Sequence, residues 1–166
     1  MAARVLVAGI GNIFLSDDGF GPEVVRQLSS GELPADVGLV DYGIRGMHLA
    51  YDLLDGYDGL VLVDAVPGQD PPGTIRVLEV GEDDLGAGGL DAHGMDPATV
   101  LSSLRALGGR LPRTLVVGCV PADLDEGIGL SPLVAAAVEP AATTVRALLA
   151  SELAATPAGA GRTEGG

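Results

Sequence analysis

The chain has no lysine. All nine of its basic residues are arginine, set against 23 acids, so the net charge is −14 at neutral pH. Without an ε-amine there is no Schiff-base chemistry. With so little positive charge the surface would repel nucleic acid and anionic lipid, and neither is expected as a partner. Cysteine is nearly absent too. A single residue, Cys119, excludes an internal disulfide and fits a reducing cytoplasm, and its place in the apolar run "LVVGCVP" is that of an inert core thiol. Long hydrophobic runs are missing: "VLVAGI" and "LVLVDAV" fall well short of the ~20 apolar residues that span a bilayer, so no membrane partner is expected. The opening "MAARVLVAGIGN" has too short an apolar stretch and no small-x-small site for a signal peptide, and the expected location is the cytoplasm. There is no G-x-S-x-G elbow and no Cys–His pairing, so a hydrolase built from this chain has to use water activated by a carboxylate or a metal.

What remains is an apolar content of 47% in 166 residues, enough for one domain with a substantial core. Strand and helix patterns alternate. "RVLVAGI", "VGLVDYG", "GLVLVDAV", "TIRVLEV" and "TLVVGCV" read as strands, and the third is a near-continuous apolar run of the kind buried on both faces. "GPEVVRQLSS", "GMHLAYDLLDGY" and "MDPATVLSSLRALG" read as helices, the last with Asp96 as N-cap and Pro97 at its first position. A final helix opens at Ser131 and Pro132 and runs to about Leu153, with a kink or break expected at Pro140. Residues 1–154 are expected to form a single α/β domain with helices on both faces of a mostly parallel sheet, followed by a disordered tail over 155–166.

Acids fall where such sheets bind ligands, at the carboxyl ends of strands. Asp18 follows strand one, Asp41 closes strand two and Asp64 closes strand three. A carboxylate ending an apolar strand is costly to desolvate, so Asp64 is either a cap held by loop amides or one of a set of ligands. Of the two histidines, His48 reads as a surface residue, whereas His93 lies in a long glycine-rich connection, a place that more often carries function. Two carboxylates and an imidazole brought together suit a divalent cation such as Ni, Zn, Mn or Fe. The stretch "GIGNIFLSDDGFG" (residues 9–21) opens like a nucleotide loop, but Phe14 replaces the third glycine and Asp41 lies well beyond the ~20-residue spacing of the acid in that fingerprint. Its adjacent acids, Asp17 and Asp18, suit a cation better, and Asp17 is expected to be solvated or to cap the next helix.

Together with "DYGIRGMHL", "LVLVDAV", "HGMDPATVLSSL" and "VGCVPADLDEGIGLSP", in that order over nearly the whole chain, the opening loop resembles the hydrogenase maturation proteases. These endopeptidases trim the C-terminus of the [NiFe]-hydrogenase large-subunit precursor once nickel is installed. The resemblance implies a three-layer fold of the phosphorylase/hydrolase-like kind, with a twisted five-stranded sheet between helices. It implies a hydrolase, aspartic-type by the family's classification, with Asp18, Asp64 and His93 as metal-site and catalytic residues and Asp41 in substrate recognition. The family often has Glu where this chain has Asp18. His48 has no counterpart in the motif. Nickel is expected to arrive in the precursor, leaving the resting enzyme metal-free. The alternatives are a non-catalytic nickel-sensing chaperone for the same precursor and a dinucleotide-binding oxidoreductase.

Overall fold

The computed structural model describes residues 3–81, 97–151 and 153. Five strands form one sheet: β1 (Val5–Ile10), β2 (Val37–Gly43), β3 (Gly59–Ala65), β4 (Ile75–Val80) and β5 (Arg113–Cys119), in the order β2-β1-β3-β5-β4. All neighbours are parallel except β4, which runs antiparallel to β5 along one edge. The helices are α1 (Phe20–Ser29), α2 (Gly46–Leu53), α3 (Pro97–Ala106), α4 (Pro132–Ala135) and α5 (Val138–Ser151). The expected five-stranded, mostly parallel sheet between helices is what the chain forms. The expected tail over 155–166 and the N-cap Asp96 lie outside the described residues, although Pro97 does open its helix.

Alternation along the central strands sorts their side chains into two cores. Val5 and Val7 of β1, Val61 and Val63 of β3, and Leu115 and Val117 of β5 pack with Phe20, Val24 and Leu28 of α1 and with Ala141, Val145 and Leu149 of α5. The intervening Leu6, Ala8, Leu60, Leu62 and Val116 pack on the other face with Leu49, Ala50 and Leu53 of α2 and with Leu101 and Leu104 of α3. Because both faces are covered, β1 and β3 are buried along their whole lengths, and polar alternation is absent from their sequences. Each such Val or Leu contributes about 1.5–3 kcal/mol by leaving water.

From β1 the chain crosses to β2 by way of α1 on one face. It then returns past β1 to β3 by way of α2 on the other. A right-handed crossover in each direction requires opposite faces. The reversal makes a switch point between the carboxyl ends of β1 and β3, where open α/β sheets place their sites.

The C-terminal helix does break, but just before Pro140, at Ala136 and Ala137. Pro140 then sits in the first turn of α5, where a missing N–H leaves no helical bond unmade. One correction concerns apolar runs. The 20-residue stretch Pro132–Ser151 is apolar enough by composition to cross a bilayer. Here its Val134, Ala141, Ala142, Val145 and Leu149 are buried in the first core, the role of a packed helix on a sheet.

Candidate active site at the switch point

Two glycines allow the site loop to form. Gly21, at the start of α1, lies so close to the strand ends that a Cβ there would stand 2.3 Å from the Val63 carbonyl and 2.4 Å from that of Ile10. Gly11 has φ +143°, and its Cβ would fall 1.8 Å from the Asp18 carbonyl. Between them, residues Ser16–Gly19 form a single 3-10 turn, which buries both members of the acidic pair. Ser16, which enters this turn, takes a left-handed φ of 52°, uncommon without glycine. The conformation is held by its N–H, donating to Gly127 O at 2.9 Å, and its hydroxyl, donating to Asp125 O at 2.8 Å.

Asp18 is fully buried, and its Oδ2 accepts the Asn12 N–H at 2.8 Å. Asp64, at the end of β3, is 7% exposed, and its Oδ1 accepts the N–H of Ala65 at 2.8 Å. Burial raises the Asp64 carboxyl well above the usual carboxylate range, and the charge of Asp18 raises it further. The two carboxylates are therefore close enough to feel each other's charge, Asp18 from the turn after β1 and Asp64 from the end of the adjacent β3. His93 lies outside the described residues, and among the described residues no three His, Cys, Asp or Glu side chains converge as a metal-binding group.

Asp41 is exposed on β2, beside the bulge where the β1–β2 register shifts between Gly9 and Ile10. Its Oδ1 accepts the Gly43 N–H at 2.9 Å, and its carbonyl accepts from Arg45 Nη2 at 2.6 Å. It lines a groove of about 340 Å³ together with Ile13, Gly19, Glu23, Ile128 and Leu130. Ile13 and Ile128 are 49% and 80% exposed at this rim. The groove residues of the 122–131 segment fall within "VGCVPADLDEGIGLSP", one of the stretches that carry the family resemblance, but by residue type alone "EGIGL" reads as an ordinary glycine-rich loop. Exposed isoleucine in such a loop is the one signal that marks them.

Asp17 is neither solvated nor a cap for α1. It is fully buried, and it accepts the N–H groups of Ala122 at 2.8 Å, Asp123 at 2.9 Å and Ser131 at 2.7 Å, plus the Ser131 hydroxyl at 2.8 Å. Burial alone would raise its pKa. The bonds from Ser131, Ala122 and Asp123 outweigh that and hold the carboxyl below the usual range. Ser131 does stand at the N-cap of α4, but its hydroxyl serves Asp17 and makes no capping bond.

The other candidates have structural roles. His48 is half exposed, 3.7 Å from Asp52 and edge-on to the Tyr42 ring. Cys119 is buried in β5, and burial, reinforced by the charge of Asp17, pushes its thiol up to about 11.

A family model described as hydrogenase maturation protease matches residues 22–147. The chain is 37% identical to the hydrogenase 2 maturation protease of Escherichia coli K12, over 88% of this chain and 90% of that protein. The solved structure of a hydrogenase maturating endopeptidase from E. coli superposes with a TM-score of 0.77 at 35% identity, covering 90% of this chain and 93% of the other. A [NiFe] hydrogenase maturation protease from Thermococcus kodakarensis superposes with a TM-score of 0.72 at 27% identity, covering 87% and 98%.

Proposed function

Since this chain belongs to the hydrogenase maturation protease family, we propose that it is the endopeptidase that removes the C-terminal extension of a [NiFe]-hydrogenase large-subunit precursor after nickel insertion. Membership makes it a hydrolase acting in hydrogenase maturation. The observation that carries the finer reading is the proximity of two buried carboxylates, Asp18 in the turn after β1 and Asp64 at the end of β3, whose charges act on each other, with Ser16 and Gly19 of the same turn lining an open groove.

Like charges this close raise each other's proton affinity, and a cation between them offsets that repulsion. Asp18 and Asp64, with His93 as a third donor, suit the nickel that the precursor presents. Nickel belongs to the substrate here. An oxygen–nitrogen donor set without thiolate should hold it less tightly than the precursor's cysteines, so the protease probes the metal without extracting it. The precursor is then recognised by its load as well as by its chain, with Asp41 placed to contact the chain.

The nucleophile is water. Cys119 is buried, and the Ser16 and Ser131 hydroxyls donate to Asp125 O and to Asp17. A site carboxylate takes the water proton as the oxygen attacks the scissile carbonyl. The proton then passes to the amide nitrogen as the C–N bond breaks, releasing a carboxyl end and an amine. We place the reaction in the cytoplasm, which suits a chain with a single buried thiol.

The test is mass spectrometry of a nickel-loaded precursor before and after incubation with the protein. Loss of a C-terminal peptide is expected with wild type and not with Asp18→Ala, Asp64→Ala or His93→Ala. Full processing by those variants would sink the site assignment. Nickel-dependent association without cleavage would make the protein a chaperone.

A further inference from the structure

We propose that Asp17 is a positioning residue for substrate, whose carboxylate sets the width of the groove beside Asp18 by holding the 122–131 segment in place. This rests on the protease reading. The two neighbouring acids then have separate tasks: Asp18 faces Asp64, and Asp17 organises the wall opposite.

The argument is geometric. Asp17 takes Ala122 N–H and Asp123 N–H at one end of the segment and Ser131 N–H and Oγ–H at the other, so one carboxylate closes a loop across its base. The segment is also stitched to the loop that carries the 3-10 turn. Ser16 N–H donates to Gly127 O and Gly127 N–H to Phe14 O, both at 2.9 Å, and the Asp17 N–H donates to Asp123 O at 2.9 Å. Between these ties stand Ile128, Gly129 and Leu130, which form one wall of the groove; Ile13, Ser16 and Gly19 line it from the first loop. Ile128 is 80% exposed, so its position is set by the backbone rather than by packing.

The occupant is the precursor's own polypeptide next to its cleavage point. Ser16 and Gly19, which bracket the two acids in the 3-10 turn, line the groove, so a chain lying in it runs alongside the turn that carries Asp18. A chain lying there contacts both walls, and a wall released from Asp17 loosens that contact while leaving Asp18 and Asp64 in place.

The experiment compares wild type, Ser131→Ala, Ser131→Thr and Asp17→Asn by steady-state cleavage of the nickel-loaded precursor. Binding of the fluorescently labelled precursor is measured in parallel, and thermal unfolding monitors the fold. Ser131→Ala removes one of the four bonds and should raise KM three- to fivefold at unchanged kcat. Ser131→Thr keeps the hydroxyl and should restore wild-type KM. Asp17→Asn turns an N–H donor towards the Ser131 N–H and should raise KM at least tenfold. A role in stability alone would lower the folded fraction, and with it the apparent kcat, at unchanged KM; that result overturns the proposal. If Asp17→Asn does not fold, the Ser131 pair decides. If wild type binds the precursor without cleaving it, the protease reading fails, and the binding constants of the Ser131 pair still decide the role of Asp17. Equal precursor affinity in Ser131→Ala and wild type overturns it in either case.

Discussion

Replacing Gly21 by alanine tests the physical link between fold and site most directly. The added Cβ would lie 2.3 Å from the Val63 carbonyl oxygen, 2.4 Å from the Ile10 carbonyl oxygen and 2.7 Å from the Ile10 nitrogen, whereas ordinary contacts begin near 3.4 Å. All three are backbone atoms of buried central strands, so no flexible side chain can give way. The start of α1 has to back off by about 1 Å, the difference between those contact distances. Overpacking of this kind costs about 1–3 kcal/mol, and rigid strands on the other side place Gly21→Ala at the upper end. For a domain of this size, about 3 kcal/mol lowers Tm by roughly 6–12 °C. The functional effect should exceed the stability effect. Asp18 lies in the turn that leads into α1, and Asp64 follows Val63, so the displacement falls between the two carboxylates. Precursor cleavage measured well below the lowered Tm should fall at least tenfold, with urea unfolding reporting the stability loss. A Gly21→Ala protein with wild-type Tm and wild-type kcat/KM would refute the claim that α1 must touch both strand ends to assemble the site.

Leu104→Ala removes a fully buried side chain from the α2–α3 face; it should cost about 2–5 kcal/mol in urea unfolding and leave kcat/KM unchanged below the transition, the control for Gly21→Ala. Cys119 should resist a disulfide reagent in the folded protein at pH 8 and react on unfolding, because it is buried and its thiol is pushed up to about 11. The folded protein holds that proton more tightly than the unfolded chain, whose thiol titrates near 9, so this contribution to stability is complete below pH 9 and fades as pH rises towards 11. Arg113 Nε and Nη2 both lie 3.1 Å from Glu79 on an exposed edge; Arg113→Ala should change stability by no more than about 1 kcal/mol, and less at high salt.

The contrast between Asp17 and Asp18 shows how far the sequence carries. Strand positions follow from local pattern: "VGLVDYG" matches β2 residue for residue, and "GLVLVDAV" overruns β3 by one residue, the central strand being a near-continuous apolar run because both its faces are buried. The placing of Asp18 and Asp64 at strand ends follows from the same pattern. The fate of Asp17 does not. Two adjacent aspartates are chemically identical in sequence, and a single 3-10 turn sends them to different neighbours. The groups that claim Asp17 lie 105, 106 and 114 residues further along, so no local rule identifies them. Pro140 is a milder case. It marks the interruption of the last helix, but proline is tolerated in a first turn, so the chain breaks upstream and starts afresh around it.

The likeness of the opening loop to a nucleotide site now has a physical resolution. A phosphate loop works by leaving backbone N–H groups open to an anion at the start of a helix. Here the glycines that would permit such an approach are used within the protein: Gly11 passes against the Asp18 carbonyl and Gly21 against the ends of β1 and β3. The Asn12 N–H, which follows Gly11, is already given to the Asp18 carboxylate at 2.8 Å. A pyrophosphate would have to displace that carboxylate and then lie beside Asp17, Asp18 and Asp64, three buried acids, with no lysine anywhere in the chain to offset them. The same glycine spacing therefore serves a loop whose buried acids disfavour an anion. NAD or NADP titrated into the protein should show no saturable binding by calorimetry, whereas a micromolar dissociation constant for either would overturn this account of the loop.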